Sequence, residues 1–582
     1  MVILGLRSKH DASAALVIDA ELVAAAAEER FSRRKHHFGF PRHAVSYVLA
    51  EAGLKPHQVD VIARDGISVS KTLSRLIRQP RYAWTPRLYR DVLDKTLDRY
   101  VRRKVDIKKG EETYLQEMGF APNWFYVEHH LGHAAYAYYT SGLKNATVVV
   151  LDGRGHYLGG GVYVGRDGRL ECISEIIAEG GSLGLFYSAI TDALGFQVGD
   201  GEGKTMGLAC YGDPQVALVD LEPFAPRVVG LKTLKHKEWE LDSTVVDNRL
   251  YGHYRESALL RLLIDEHGDA SVAAAAQAIL ERELTRLIRN AVAETGVRDL
   301  VGGGGVFLNV KASKVLMDEN VVDSIYVPPG PGDVGLAAGY ALATYDRYNA
   351  AQSPAPIKSA YLGPAFTDEE ILQELRRYDD ISYEQLTLEN VPLATAKLVA
   401  DGQVVGWFQG RMEWGPRALG NRSVLADPRD PNMRDRINER LKKRDWFMPF
   451  APSVLKEYCD ECFANYHPSP YMNLAFRVRP PYDKLVPAVM HVDKTARPQE
   501  VEREINPLYY ETLEAFRQLT GIPLVLNTSF NRHGLPIVCT PKDAVDHLRW
   551  GCIDVLVIGT FLVRRIGPVV PFSSEGKDQS VP

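Results

Sequence analysis

Ala350-Ala351-Gln352-Ser353-Pro354-Ala355-Pro356 breaks helical periodicity with two prolines, and on either side lie long blocks in which β-forming runs alternate with helix-period stretches. A chain interrupted in this way is expected to build two α/β domains rather than one core. In the first block Thr147-Val148-Val149-Val150-Leu151 reads as a buried strand, and Val272 to Ala293 and Gly335 to Ala343 read as helices. In the second, Val404 to Phe408, Leu524 to Leu526 and Val555 to Gly559 read as strands. The expected layout is a domain over 1–352, a second over 353–567, and a flexible tail over 568–582, where apolar patterning stops. No internal repeat is visible.

At 582 residues, 45% hydrophobic and 25% charged, the composition is that of a soluble multidomain protein. A net charge of -5 supplies no general attraction for nucleic acid or an anionic membrane, so basic clusters are local sites and a small-molecule partner is expected. No apolar run is long enough to span a bilayer, and Met1 to Leu6 reads as a strand rather than a signal peptide, which points to the cytoplasm. Six cysteines show no disulfide framework. The close pair Cys459-x-x-Cys462 lacks a second pair for a zinc knuckle and reads as buried, inert thiols. Oligomeric state is not legible.

Gly410 to Ser423 places Arg411, Arg417 and Arg422 among three glycines. Guanidinium forks on turn-forming backbone suit a phosphate, so the segment reads as an anion cradle, with a solvated loop as the alternative. Gly199 to Thr205 resembles a P-loop but has three residues between its outer glycines where four are required, and Gly302 to Asn309 lacks the third glycine of a dinucleotide fingerprint. In the first block Asp152-Gly153-Arg154-Gly155 follows a strand, and Gly5 to Ala15, with His10 and Asp11, opens another strand-turn-strand. Two such hairpins on one α/β lobe resemble the actin-like ATPases. Gly302-Gly303-Gly304-Gly305-Val306-Phe307-Leu308-Asn309 is similar to the turn those proteins place beside the adenosine, which makes Gly303, Gly304 and Asn309 nucleotide candidates.

His129 and His133 are four residues apart, hence on one face if helical, a spacing suited to two imidazole ligands of one ion. Asp333, on the Gly/Pro loop Pro328 to Gly335, is the candidate third ligand and Asp152 the fourth; satisfied surface histidines are the alternative. The ion is left open between iron, which we favour, and zinc.

The order of His10-Asp11, His129-x-x-x-His133, Asp152-Gly153-x-Gly155, Glu202 to Ala209 and Gly415-Pro416-Arg417-Ala418-Leu419-Gly420-Asn421-Arg422-Ser423 resembles the O-carbamoyltransferases of the NodU/CmcH type. That family includes enzymes that carbamoylate aminoglycosides, ansamycins and cephalosporins. The resemblance spans nearly the whole chain and implies an actin-like first domain, similar to threonylcarbamoyl-transfer enzymes, and a YrdC-like second domain. It implies that the second makes carbamoyladenylate from ATP, with magnesium, and carbamoyl phosphate, and that the first transfers the carbamoyl group to a hydroxyl of a small natural product. Carried over residue by residue, the anion site uses Arg417, Lys442, Arg497 and Ser529, with Asn527 beside them, Arg417 and Lys442 stabilising the charge that adenylation develops. Many relatives have arginine where this chain has Met448; Lys443, Arg444 and Arg422 are the available substitutes. His10 becomes the general base for the acceptor hydroxyl. Lys204 contacts nucleotide or lines the acceptor cleft, a salt bridge to Glu202 being the alternative.

An actin-like small-molecule kinase would leave the second domain's basic residues unused. A hydrogenase-maturation carbamoyltransferase normally carries an acylphosphatase and paired zinc-finger cysteines ahead of this point. A silent nucleotide-binding regulator would have no need of the histidines, aspartates and arginines. The acceptor is not legible: the inserts Ser70 to Glu111 and Lys232 to Arg255 are where its pocket would vary, and Arg75 to Lys109 reads as an amphipathic helical excursion.

Overall fold

The structure is a computed structural model that describes residues 1–68, 70–71, 74–75, 103–121, 123–178, 181–234, 257–349, 351–443 and 445–572. Arg444, most of both inserts and residues 573–582 of the expected tail lie outside the described residues. It is a mixed α/β protein of two compact units: Met1–Ser32, His36–Lys358 and Asn473–Ala475 form the first, and Arg33–Lys35, Ser359–Met472 and Phe476–Pro582 the second.

The first unit contains two five-stranded sheets. One has the order β3-β2-β1-β4-β5, from β1 (Val2–Arg7), β2 (Ser13–Ile18), β3 (Glu21–Ala27), β4 (Val61–Asp65) and β5 (Trp124–Val127). β1 pairs antiparallel with β2 and parallel with β4, β2 antiparallel with β3, and β4 parallel with β5. The other has the order β12-β11-β6-β7-β8, from β6 (Ala146–Gly155), β7 (Leu158–Arg166), β8 (Arg169–Ile177), β11 (Asp299–Gly303) and β12 (Ser324–Tyr326). Its pairings repeat the first: β6 to β8 form an antiparallel meander, and β11 joins both β6 and β12 in parallel. A small hairpin of β9 (Arg227–Val229) and β10 (Lys232–Leu234) forms a sheet of its own beside β8, where Ser174 Oγ donates to the Leu231 carbonyl. The topology is therefore duplicated although the sequence displays no repeat; strand order and direction persist where side-chain identity does not. The β1–β2 turn and the β6–β7 turn occupy equivalent places.

Alternation explains the first sheet's packing. Leu4, Leu6, Ala14, Leu16, Ala24 and Ala26 share one face and bury Ala44, Val45, Val48 and Leu49 of the helix Arg42–Glu51. On the other face the helix Leu336–Tyr348 comes so close that a Cβ on Gly5 would lie 1.9 Å from the Ala337 carbonyl oxygen. The same helix crosses His129–Ser141 with comparable intimacy: a Cβ on Gly339 would lie 2.0 Å from the Gly132 oxygen. Small residues at this crossing bring the start of one helix, with His129 and His133, toward Asp333 at the start of the other.

The second unit is built on an eight-stranded mixed sheet, in the order β13-β23-β22-β14-β15-β21-β16-β20. These are β13 (Ile381–Gln385), β14 (Val405–Phe408), β15 (Arg422–Ala426), β16 (Ala451–Leu455), β20 (Gln499–Val501), β21 (Leu524–Ser529), β22 (Val555–Ile558) and β23 (Phe561–Arg565). A three-stranded sheet of β17 (Phe463–Ala464), β18 (Phe476–Val478) and β19 (Thr495–Ala496) accompanies it. β14 and β15 are antiparallel, with Phe408 opposite Arg422, so Gln409 to Asn421 is a hairpin loop leaving the sheet.

Candidate active site

In the first unit the strand ends deliver charge to one place. β1 finishes at Arg7, which is buried and paired with Asp333. Burial disfavours a charged guanidinium, yet Asp333 more than offsets this and keeps Arg7 charged. His10, on the β1–β2 turn and 41% exposed, places Nε2 at 3.1 Å from Asp333 Oδ2 and Nδ1 at 3.2 Å from Asp11 Oδ2. Burial lowers its pKa, but Asp333 and Asp11 outweigh that and raise it. β6 loses register with β7 between Leu151 and Gly155, which frees Asp152 from the ladder.

His129 and His133 point at these carboxylates. His129 Nε2 is 3.2 Å from Asp152 Oδ2 and 3.6 Å from Asp333 Oδ1; His133 Nε2 is 3.7 Å and 3.3 Å from the same two atoms. Burial drives His129 down to about 3. For His133 burial acts the same way, but the carboxylates of Asp152 and Asp333 prevail and raise it to about 9. Both carboxylates are held below the usual range despite burial, Asp152 chiefly by the two histidines and Asp333 chiefly by Arg7.

These four residues fit a divalent ion. Ligand atoms about 2.1 Å from a common tetrahedral or octahedral ion lie about 3.0–3.4 Å from one another. The four donor atoms here all lie within 4.8 Å of one another, and His133 is wholly buried with neither ring nitrogen in a well-formed hydrogen bond. An imidazole pair with two carboxylates suits iron(II) or zinc.

Around this core runs a network that sequence reading missed. Lys9 Nζ is 2.6 Å from Asp65 Oδ2, His156 Nε2 is 3.6 Å from the same oxygen, and His156 Nδ1 is 3.6 Å from Glu128 Oε1. His156 and Tyr157 form the two-residue β6–β7 turn, both at positive φ, as tight hairpins require. Arg75 closes the network on Glu128 and Glu175. Arg7 at the end of an apolar run was the signal available, because a buried arginine demands a buried anion.

The nucleotide candidates of this unit are engaged by the chain itself. Gly304 has φ +86° and faces the Leu151 carbonyl oxygen, which a Cβ would approach to 2.2 Å; a Cβ on Gly303 would meet the His133 oxygen at 3.1 Å. The strand bearing Asp152 and the helix bearing His133 thus pass close to these two glycines. Asn309 caps the helix Val310–Asp318 and exchanges two hydrogen bonds with Gln277. Lys204 lies 5.4 Å from the Phe196 ring centroid, and Glu202 accepts from Ser188 Oγ and Gly199 N–H.

In the second unit the hairpin loop proves to be a braced structure. Arg422 is fully buried and donates to the carbonyls of Gln409, Gly410, Asn421 and Pro364, with its guanidinium 3.6 Å from the Phe408 centroid. Arg411 donates to the carbonyls of Leu362 and Gly363. Glu413 accepts the backbone N–H groups of Leu419, Asn421 and Arg422. Two of the three cradle arginines therefore hold the loop, and Arg422 cannot replace an arginine at Met448. Arg417, also on this loop, is half-buried.

Lys442, 2% exposed at the end of a π-helical turn, donates to the Ser529 carbonyl, to Ser529 Oγ at 2.9 Å, and to the Asn531 carbonyl and Oδ1 at 3.0 and 2.8 Å. Lys442 and Ser529 are thus brought together. Asn527, two residues earlier in β21, donates to the Ala418 carbonyl, Ser453 Oγ and Gln499 Oε1, and Gln499 donates to the Leu419 carbonyl. Asn527 is buried and acts as a clamp, tying the Arg417 loop to β21 and to β20, which follows Arg497. Cys459 and Cys462 are free and buried, and burial pushes Cys459 up to about 12.

The two halves of the chain match known families separately. The Carbamoyltransferase N-terminus model matches residues 2–342, and the Carbamoyltransferase C-terminus model matches 396–565. The chain belongs to the carbamoyltransferase family. This carbamoyltransferase is 35% identical to nodulation protein NolNO of Sinorhizobium fredii over 575 residues, covering 96% of this chain and 79% of that protein. It is 36% identical to protein sll1178 of Synechocystis over 599 residues, with 96% and 95% covered. The solved structure of full-length HypF in the phosphate- and nucleotide-bound form is similar at 13% identity over 61% of this chain and 56% of that one, with a TM-score of 0.31, too low to carry an argument. As a carbamoyltransferase the enzyme takes a carbamoyl donor and an acceptor. Among the described residues no helix is long and apolar enough to cross a membrane.

Proposed function

We propose that this carbamoyltransferase is ATP-dependent, that its second unit, YrdC-like in fold, forms carbamoyladenylate from carbamoyl phosphate and Mg-ATP, and that its first, actin-like unit transfers the carbamoyl group to a hydroxyl of a small natural product. The observation that carries the reading is the shared carboxylate of Asp333, which sets His10 beside His129 and His133. An alcohol needs its proton removed as it attacks, and a histidine next to an electrophile site meets that need. The duplicated sheets of the first unit support the actin-like part.

In the second unit Arg417, Lys442, Arg497 and Ser529 would bind the polyanions. Lys442 is a cation held in place by Ser529 and Asn531, and it would give up one of those oxygens to meet the negative charge that develops on the α-phosphate. Gly303, Gly304, Asn309 and Lys204 of the first unit would line the adenosine side. A divalent ion at His129, His133, Asp152 and Asp333, iron or zinc, would supply Lewis acidity toward the carbamoyl carbonyl or hold the adenylate phosphate.

The test is pyrophosphate release from ATP plus carbamoyl phosphate without acceptor, followed by mass spectrometry of a hydroxylated natural-product panel. Pyrophosphate release and a carbamoyl mass increment are expected. A kinase or a silent binder gives neither, and that result would end the proposal.

A further inference from the structure

Asp11 stands between two imidazoles. Its Oδ2 is 3.2 Å from His10 Nδ1 and its Oδ1 is 2.7 Å from His36 Nδ1. The β1–β2 turn and the segment after Ser32 are fastened once more, by Ala12 N–H donating to the His37 carbonyl at 3.1 Å, and His36 N–H donates to Glu29 Oε2 at 2.9 Å within its own segment. On its far side His36 Nε2 is 3.8 Å from Asp200 Oδ1. The line His36, Asp11, His10, Asp333 therefore runs from a partly exposed edge to the four-residue metal candidate, with His10 presenting Nε2 inward and Nδ1 to Asp11.

Fold stability alone does not account for this line. Asp11 has φ 55° and His36 φ 54°, left-handed values that cost energy for residues with a Cβ. Both side chains are partly exposed, where an ion pair returns little. An arrangement that strains two backbones for a weak pair is expected where a side chain must be aimed.

We propose that Asp11 and His36 are positioning residues for His10, fixing its ring and holding a proton on Nδ1 so that Nε2, which faces Arg7 Nη2 at 3.4 Å and Asp333 Oδ2 at 3.1 Å, is the nitrogen that takes up the acceptor's proton. The inference rests on the proposed carbamoyl transfer. There the acceptor hydroxyl gives its proton to His10 Nε2, its oxygen forms the bond to the carbamoyl carbon, and AMP departs with the electrons of the broken C–O bond. Asp11 accepts from Nδ1 throughout, as the carboxylate of a hydrolase triad orients its histidine. His36 fixes Asp11.

The full-length protein labelled with 15N-histidine tests this, His10 being assigned by the loss of its signals in His10→Gln and observed at a pH where it is neutral. In the wild type the two-bond correlations should show the proton on Nδ1. Asp11→Ala should shift the tautomer ratio toward Nε2–H by about tenfold or more, the worth of one hydrogen bond to a charged group, and His36→Gln should shift it in the same direction by less. An unchanged His10 pattern in folded Asp11→Ala, verified by circular dichroism, overturns the proposal. If wild-type protein releases no pyrophosphate from ATP and carbamoyl phosphate, the proposed function falls, while the NMR result still decides whether Asp11 and His36 hold His10.

Discussion

Asp333 Oδ2 lies 3.1 Å from His10 Nε2, on the side of the carboxylate opposite the oxygen that faces His133. One side chain thereby joins the expected base to the expected ion ligands, and the buried Arg7 depends on it as well.

Asp333→Asn should remove bound metal, measured by elemental analysis, and abolish carbamoyl transfer. It should also destabilise the first unit by about 3–5 kcal/mol, because Arg7 loses its buried counter-charge. Pyrophosphate release by the second unit should persist. Loss of that release together with transfer would contradict the division of labour between the units.

Gly339→Ala should be as damaging as a ligand mutation. The new Cβ would occupy a point 2.0 Å from the Gly132 oxygen, so the two helices must separate and His133 must withdraw from Asp333. Lowered thermal stability and reduced metal content are expected, and an alanine variant with wild-type metal content would refute the packing argument.

Arg422→Met and Arg417→Met should differ in kind. The first strips hydrogen bonds from the carbonyls of the buried Gln409, Asn421 and Pro364 and of the exposed Gly410, and should destabilise the second unit by several times the about 1 kcal/mol of a single bond, seen in chemical denaturation. The second should lower ATP-dependent pyrophosphate release by about 100-fold, the scale of one preorganised donor.

His547 gives the second unit an acid-sensitive term. Burial lowers its pKa to about 4, and its ring accepts from Arg532 N–H and donates to the Asp543 carbonyl, an arrangement that needs the neutral form. The unfolded chain takes up that proton near its ordinary pKa of about 6.5, so stability is full above that pH and declines as pH falls toward 4, by at most about 3 kcal/mol. His547→Gln should flatten the stability profile across that window; an unaltered slope would assign the effect elsewhere.

Much of the fold and half of the site are legible in the amino-acid sequence itself. Strands such as Thr147 to Leu151 and Val555 to Ile558 are readable because burial on both faces leaves a continuous apolar run, and His129 and His133 because helical spacing aligns them. Asp333 and Asp152 are readable as acidic residues on glycine turns after apolar segments. What escapes are residues whose role depends on a distant partner. Arg422 reads as a phosphate ligand by its glycine-rich setting, yet four carbonyls occupy its guanidinium, and Asn527, which reads as an anion-site neighbour, grips Ala418 and Gln499 instead. His36 and Asp11 adjoin only because the segment after Ser32 returns to the β1–β2 turn, which no local pattern encodes.

The repeated order of the two sheets in the first unit has a positional consequence. The turn bearing His10 and Asp11 and the turn of His156 and Tyr157 that follows Asp152 hold the same place, each between the first two strands of its sheet. One backbone plan is thus used twice with different side chains, and each hairpin carries its own titratable groups.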